Sequence, residues 1–223
     1  MRKLYAPPFQ NVIFLFFLPL SRTHFGILHV IMVEEYELML YSELNEQELA
    51  RLCCGRDRMA VDELYKRYAT RVYALCRRYI RDDEEAKDLM QDSLVQAVGS
   101  IMAFRFTGDG SLYNWLARIA INRSIDHIRG KRKWPMVPWS FQTHDDVPAP
   151  DADELNAISE QELLELIDML PDVRRSVFYL YCMDGYSHKE IAELLGITKS
   201  CSSSILAKAR KQLKKAIKEY LER

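Results

Sequence analysis

Apolar residues recur every three or four positions in block after block of this chain, the period of one face of an α-helix. The first block, residues 43–54, points Leu44, Leu49 and Leu52 one way. A longer block, 57–81, carries Leu64, Tyr68, Val72, Leu75, Cys76 and Tyr79 at helical spacing, within a tyrosine-rich stripe (Tyr65, Tyr68, Tyr73, Tyr79) that reads as core. Residues 82–103 open on acids suited to the positive end of a helix dipole and continue with Ala86, Leu89, Met90, Leu94, Ala97, Val98 and Ile101 on one face. A loop with two glycines, 104–111, leads into a block over 112–132, with Leu112, Trp115, Leu116 and Ile119 on one side and Ile121, Ile125 and Ile128 on another. Over 134–155 the pattern stops, and Pro135, Pro138, Pro148 and Pro150 rule out a continuous helix. It resumes at 159–170 (Leu163, Leu164 and Ile167 inward) and at 171–183 (Val177, Phe178 and Tyr181), where Pro171 can open a helix because its missing N–H costs nothing there. These elements predict an all-α protein: two small helical domains, the second ending in a helix-turn-helix, joined by a flexible linker.

The stretch 187–213 is the most specific. Ser187 and Glu190 have the spacing of a capping box, Gly196 suits a left-handed helix end, and Thr198 can cap a second helix. That second helix carries seven basic residues and no acidic one between Lys199 and Lys218. A helix-turn-helix with a basic second helix has the build of a major-groove reader, against the plainer alternative of a helical hairpin with a solvated lysine face.

Two further surfaces carry chemistry. On the block 82–103, Asp88, Gln91, Asp92 and Gln96 form a polar, acidic side, either a solvated flank or a docking face for a basic partner. In the block 112–132, Asn114, Arg118, Asn122, Asp126 and Arg129, continued by Lys133, fall near the i, i+4 spacing that aligns residues on one face. Beside the aromatic loop Phe104-Arg105-Phe106, that stripe suits a strand of DNA, basic groups meeting phosphates and Asn and aromatic groups meeting exposed bases. A solvated basic helix end is the alternative.

The formal net charge of the 223 residues is only −1, so charge acts through segregation rather than in bulk. No Lys or Arg occurs from Trp134 through Val173, while acids accumulate from Asp145 to Asp172; the tether either lies in a basic channel, masking it, or stays off DNA. Five cysteines show no C-x-x-C pair and no metal-ligand spacing with histidine, as expected of inert thiols in a reducing cytoplasm. There is no phosphate-cradling glycine loop and no Ser-His-Asp arrangement, so no cofactor, small-molecule substrate or enzymatic activity is expected. Residues 1–42 stand apart: VIFLFFLPL follows a basic start, but Pro19 and the Ser21-Arg22-Thr23-His24 cluster interrupt it short of the roughly 20 apolar residues of a membrane span. Three readings stay open for it: a start codon placed too far upstream, with Met32 or Met39 as initiator; a membrane-associating or export segment; and an element packing on the domain.

In order, ALCRRYIRDDEEAKDLMQDSLVQA, SLYNWLARIAINRSIDHIRGKRK, LPDVRRSVFYLYCMDGYSHKEIAELLGIT and AKARKQLKK closely resemble a bacterial RNA polymerase sigma factor of the extracytoplasmic-function (ECF) group of the sigma-70 family, over about residues 44–221. The resemblance implies sigma region 2 at 43–133, an acidic Pro-containing linker at 134–154 and sigma region 4 at 155–223. It implies core RNA polymerase docking through Asp88, Leu89, Gln91, Asp92, Val95 and Gln96. It implies minus-10 recognition by Phe104, Arg105, Phe106, Asn114, Arg118, Asn122, Arg123, Asp126, Arg129 and Lys133. Minus-35 recognition falls on Thr198, Lys199, Ser200, Ser203, Ser204, Lys208, Arg210, Lys211 and Lys214. Ser203 and Ile205 stand where the family often has long donors, and Cys201 where Thr is common, so the promoter sequence does not carry over. The expected partners are core RNA polymerase, promoter DNA and an anti-sigma factor, with the free protein a cytoplasmic monomer. A stand-alone helix-turn-helix regulator is the rival reading.

Overall fold

A computed structural model describes residues 40–131 and 158–222, and every regular element among them is helical. The expectations for residues 1–39, for Lys133 and for the 134–154 linker lie outside the described residues. Four helices make the first half: α1 (Glu46–Cys54), α2 (Arg58–Tyr79), α3 (Asp83–Ser100) and α4 (Ser111–Lys131). Helices α2, α3 and α4 each pack against the other two, and α1 lays Leu49, Ala50 and Cys53 against them. The shared core holds Leu64, Val72, Leu75, Cys76, Ala86, Leu94, Ala97, Leu112, Leu116, Ala120 and Ile125.

Local chemistry sets the boundaries. Asp57 accepts the Ala60 N–H at 3.0 Å and Asp82 the Glu85 N–H at 3.0 Å, each satisfying a helix-start donor that has no intrahelical partner. Helix α1 begins at Glu46 rather than at residue 43, with Glu46 and Glu48 in its first turn where acids are favoured. Helix α3 ends at Ser100 rather than at 103, because its last turn tightens into a 3₁₀ turn, Ile101–Ala103, closed by Phe104 N–H to Ile101 O at 3.0 Å. The tyrosine stripe of α2 divides: Tyr68 and Tyr79 are buried, Tyr65 is exposed, and Tyr73 donates its hydroxyl to Asp83 on α3.

The second half comprises α5 (Glu160–Asp168), α6 (Asp172–Phe178), a π-turn (Tyr179–Met183), α7 (His188–Leu195) and α8 (Lys199–Leu221). Complete capping boxes start α5 (Ser159 with Glu162) and α7 (Ser187 with Glu190). Gly196 ends α7 at φ 66°, the left-handed conformation that a side chain would strain. Leu180, Ile191, Leu195, Ile205, Leu206, Ala209, Leu213 and Ile217 form the core of this half.

Two sequence expectations change here. In α5 the fully buried residues are Leu166 and Ile167, whereas Leu163 and Leu164 are half-buried. The helix expected over 171–183 stays α-helical only to Phe178. Asp184 N–H then bonds Tyr179 O at 2.9 Å, five residues back, and the widened turn carries Tyr181 to the surface instead of the core.

Candidate nucleic-acid interface

The aromatic loop and the polar stripe owe their placement to groups outside them. One carboxylate, Glu46 on α1, does two jobs. One oxygen accepts from the Tyr68 hydroxyl at 2.9 Å, and the other accepts the Leu112 N–H at 2.9 Å, capping α4 from a distant part of the chain. Burial, then the bond to Glu46, pushes the Tyr68 hydroxyl up to about 12. The next residue, Tyr113, stacks on Tyr68 with centroids 6.3 Å apart, and the Arg71 guanidinium sits 3.5 Å from the Tyr113 ring centroid. Phe104 packs on Trp115 (5.7 Å between centroids) and is half-buried, while Phe106 is exposed. Arg105 donates to the carbonyls of Met102 and Phe104, both at 3.0 Å, which fixes the loop entrance. The loop therefore anchors one aromatic and presents the other.

Asn114, Arg118, Asn122, Asp126 and Arg129 are all exposed on α4, as their spacing predicts. Arg123 does not belong with them. It is half-buried and turned onto α3, donating to Gln96 at 3.0 Å and to Asp92 at 2.5 Å. Counted among the DNA contacts from sequence, it instead holds two residues of the acidic face; across an α3–α4 contact, one residue in sequence changes the helix side by about 100°. Beside it, His127 Nε2 meets Glu85 at 3.0 Å.

On α3, Asp88, Gln91, Asp92, Val95 and Gln96 are exposed, Val95 at 73 %. Leu89, grouped with them from sequence, is 7 % exposed and packs on the same inward face as Ala86, Ser93 and Ala97. The outward patch is thus an apolar residue among acids and amides.

The recognition helix α8 starts on Thr198, whose hydroxyl accepts the Cys201 N–H at 3.1 Å; that side chain is spent on the cap. Lys199, Ser200, Lys208 and Lys211 are exposed, and Ser203, Ser204, Arg210 and Lys214 are half-buried. Ile205 is 3 % exposed, so the missing long donor there is a core residue and not a gap in the reading face. Sequence reasoning missed what sets the angle of α8. His188 on α7 meets the buried Ser202 hydroxyl at 2.9 Å and stacks on Tyr181 at 4.4 Å, and the Arg210 guanidinium lies 5.8 Å from the Tyr181 ring centroid. Burial, then the charges of Arg210 and Lys199, hold the His188 pKa below 6.5. Only a polar residue at a helix-start position hinted at this, because the π-turn that delivers Tyr181 has no sequence signature. Among the described residues, no group of three His, Cys, Asp or Glu side chains is placed to hold a metal ion.

Comparison with known proteins matches residues 64–133 to Sigma-70 region 2 and residues 160–213 to Sigma-70, region 4. The chain is similar to the ECF RNA polymerase sigma factor SigM of Mycobacterium tuberculosis, 31 % identical over 173 residues, covering 77 % of this chain and 84 % of that protein. It is also similar to the RNA polymerase sigma-H factor of Pseudomonas aeruginosa, at 28 % identity, covering 82 % of this chain and 98 % of the relative. Solved structures that resemble it include CnrH in complex with the cytosolic domain of CnrY (TM-score 0.42, 21 % identity, 77 % of this chain and 96 % of that one). A second is the sigma factor RpoE with the anti-sigma factor NepR from Bartonella quintana (TM-score 0.44, 19 % identity, 70 % and 96 %).

Proposed function

Since this chain belongs to the ECF group of sigma-70 family RNA polymerase sigma factors, we infer that its exposed α3 face docks on polymerase and its α4 stripe and α8 read the promoter. The protein directs promoter-specific transcription initiation with RNA polymerase, as a DNA-binding initiation factor rather than a subunit with chemistry of its own. The observation that carries the residue assignment is the division of surfaces on one three-helix scaffold: an acidic and amide patch around Val95 on α3, and a polar, basic stripe on α4 beside exposed Phe106.

Val95 offers an apolar centre for a polymerase contact, ringed by Asp88, Gln91, Asp92 and Gln96, which complement a basic partner. Phe106 and Asn114 meet unstacked bases of the minus-10 element, with Arg118 and Arg129 on phosphate. Unstacking a base costs a few kcal/mol, which stacking on an exposed aromatic such as Phe106 and contacts along α4 offset. On α8, Lys199, Ser200, Ser203, Ser204 and Lys208 face the minus-35 major groove, with Arg210, Lys211 and Lys214 toward phosphates. An anti-sigma factor and a cytoplasmic site of action follow from family membership; among the described residues no helix is long and apolar enough to cross a membrane.

Run-off transcription from a pool of genomic promoter fragments, with purified core polymerase and this protein, tests the reading. New transcripts with a shared start-site spacing are expected. Their absence, together with tight duplex binding by the protein alone, would move the assignment to a stand-alone regulator.

A further inference from the structure

Helix α2 and the residues just after it carry five arginines between positions 67 and 81, and four of them meet a carboxylate. Arg67 pairs with Glu63 at 2.7 Å, Arg77 with Asp83 at 3.8 Å, Arg78 with Asp184 at 3.6 Å and Arg81 with Asp172 at 3.5 Å. Arg71 is the exception. It is exposed, and among the described residues no carboxylate lies within ion-pair distance of it. Its guanidinium is nevertheless seated, 3.5 Å from the ring centroid of Tyr113. An arginine left to solvent samples many rotamers; this one is held in place with its charge unmet.

What holds it is a column of side chains from three helices. Tyr113 on α4 stacks on Tyr68 of α2 with 21° between the ring planes. Tyr68 is buried and gives its hydroxyl to Glu46 of α1. The same carboxylate accepts the Leu112 N–H, one residue before Tyr113, so the column is tied to the first turn of α4. Asn114, where the exposed α4 stripe begins, follows Tyr113 directly. Arg71 therefore adds a cation from a second helix, at the end of the stripe nearest the loop that carries Phe106. A guanidinium stacked on an aromatic face uses its π surface and keeps its N–H donors around the edge, where their fork matches the oxygens of a phosphate. Because the column already restricts the side chain, less rotamer freedom is lost on contact.

We propose that Arg71 is a phosphate contact for the melted minus-10 strand, held on the Tyr113–Tyr68–Glu46 column beside the start of the α4 stripe. The proposal rests on the minus-10 reading of α4 and widens that surface onto α2, which residue spacing along α4 alone does not show. The neighbours of Arg71 select a single strand over a duplex. Exposed Phe106 and Asn114 suit unstacked bases, and a strand whose bases turn toward those groups carries its phosphates past the flank, where Arg71 stands. A phosphate contact has no base preference, so Arg71 strengthens the grip on the strand without setting its sequence.

The test assembles holoenzyme from purified core polymerase and either the full native chain or its Arg71→Gln variant, with circular dichroism of the free chains to establish folding. The readout is affinity for a fluorescent single-stranded oligonucleotide carrying the minus-10 element found by run-off transcription, titrated over salt. Each phosphate contact on a single strand contributes about 0.7 to the slope of log affinity against log salt. Arg71→Gln is expected to lower the slope by that amount, so that its affinity deficit shrinks about 2.6-fold between roughly 50 and 200 mM salt. The deficit is expected to be the same on oligonucleotides with single base changes in the element. Arg71→Lys keeps the charge and is expected to keep the native slope. Arg118→Gln, on the α4 stripe, runs in parallel. A native slope in folded Arg71→Gln, with the Arg118→Gln slope lowered, would overturn the Arg71 contact and leave the α4 reading standing; native slopes in both would remove both. A purely structural stack gives the first of these results together with a lower melting temperature of the free Arg71→Gln chain. A deficit confined to one base identity would overturn the phosphate contact in favour of base readout. If Arg71→Gln does not fold, Arg71→Met, which can still lie on the Tyr113 ring, decides by the same slope.

Discussion

Glu46 shows how much one residue can position here. It lies on α1, outside every surface assigned to DNA or polymerase, yet its two oxygens hold Tyr68 and the start of α4. Glu46→Ala removes a charged cap and leaves the Leu112 N–H without its partner, a loss of about 1–2 kcal/mol by chemical denaturation. Glu46→Gln retains part of it. His188 carries a pH signature. Its folded pKa lies below 6.5, so as pH falls through 6.5 the unfolded chain takes up a proton that the folded chain resists, and stability falls until the folded pKa is reached. His188→Asn keeps a polar group toward Ser202 and does not titrate. Its denaturation midpoint is expected to be flatter between pH 7 and 5.5 than that of the native chain; parallel curves would assign the slope elsewhere.

At the scale of elements, the helix-turn-helix was legible almost to the residue. Its signals are local: the capping box at Ser187, the left-handed Gly196 and the cap at Thr198 each act within four residues, and all three form as read. Gly196→Ala meets no neighbouring atom, so its cost is the backbone alone, about 1 kcal/mol. Thermal melts of that variant measure the loss, and a neutral result would mean that the corner relaxes. The elements misread were those whose shape depends on partners. The 3₁₀ end of α3 and the π-turn after α6 arise from how chain ends fit against neighbours, and apolar periodicity is the same for an α-helix that continues and one that widens.

For the molecule as a whole, the surfaces divide by helix face. Val95→Lys places a cation at the centre of the acidic α3 patch, far from any core contact. The expected result is at least a tenfold loss of polymerase affinity in a binding titration, with the melting temperature of the free protein unchanged within about 1 °C. Intact polymerase binding would relocate the docking face. Neither Leu89 nor Arg123 is a comparable target: Leu89 is core, and Arg123 braces the patch through Asp92 and Gln96.

The all-α class, the helix-turn-helix, the acidic helix and the basic stripe were settled by the order of residues, because helical period, capping and charge segregation are encoded within a few positions of one another. Tertiary structure decided the rest. Glu46 caps a helix that begins 65 residues later in the chain, Arg175 reads the end of a helix some 95 residues before it, and Tyr181 turns outward to meet His188. A buried arginine or a helix-start glutamate has the same spelling whether it faces solvent or another helix. Only packing assigns its partner, since desolvation and hydrogen-bond geometry act between groups that the linear order keeps far apart.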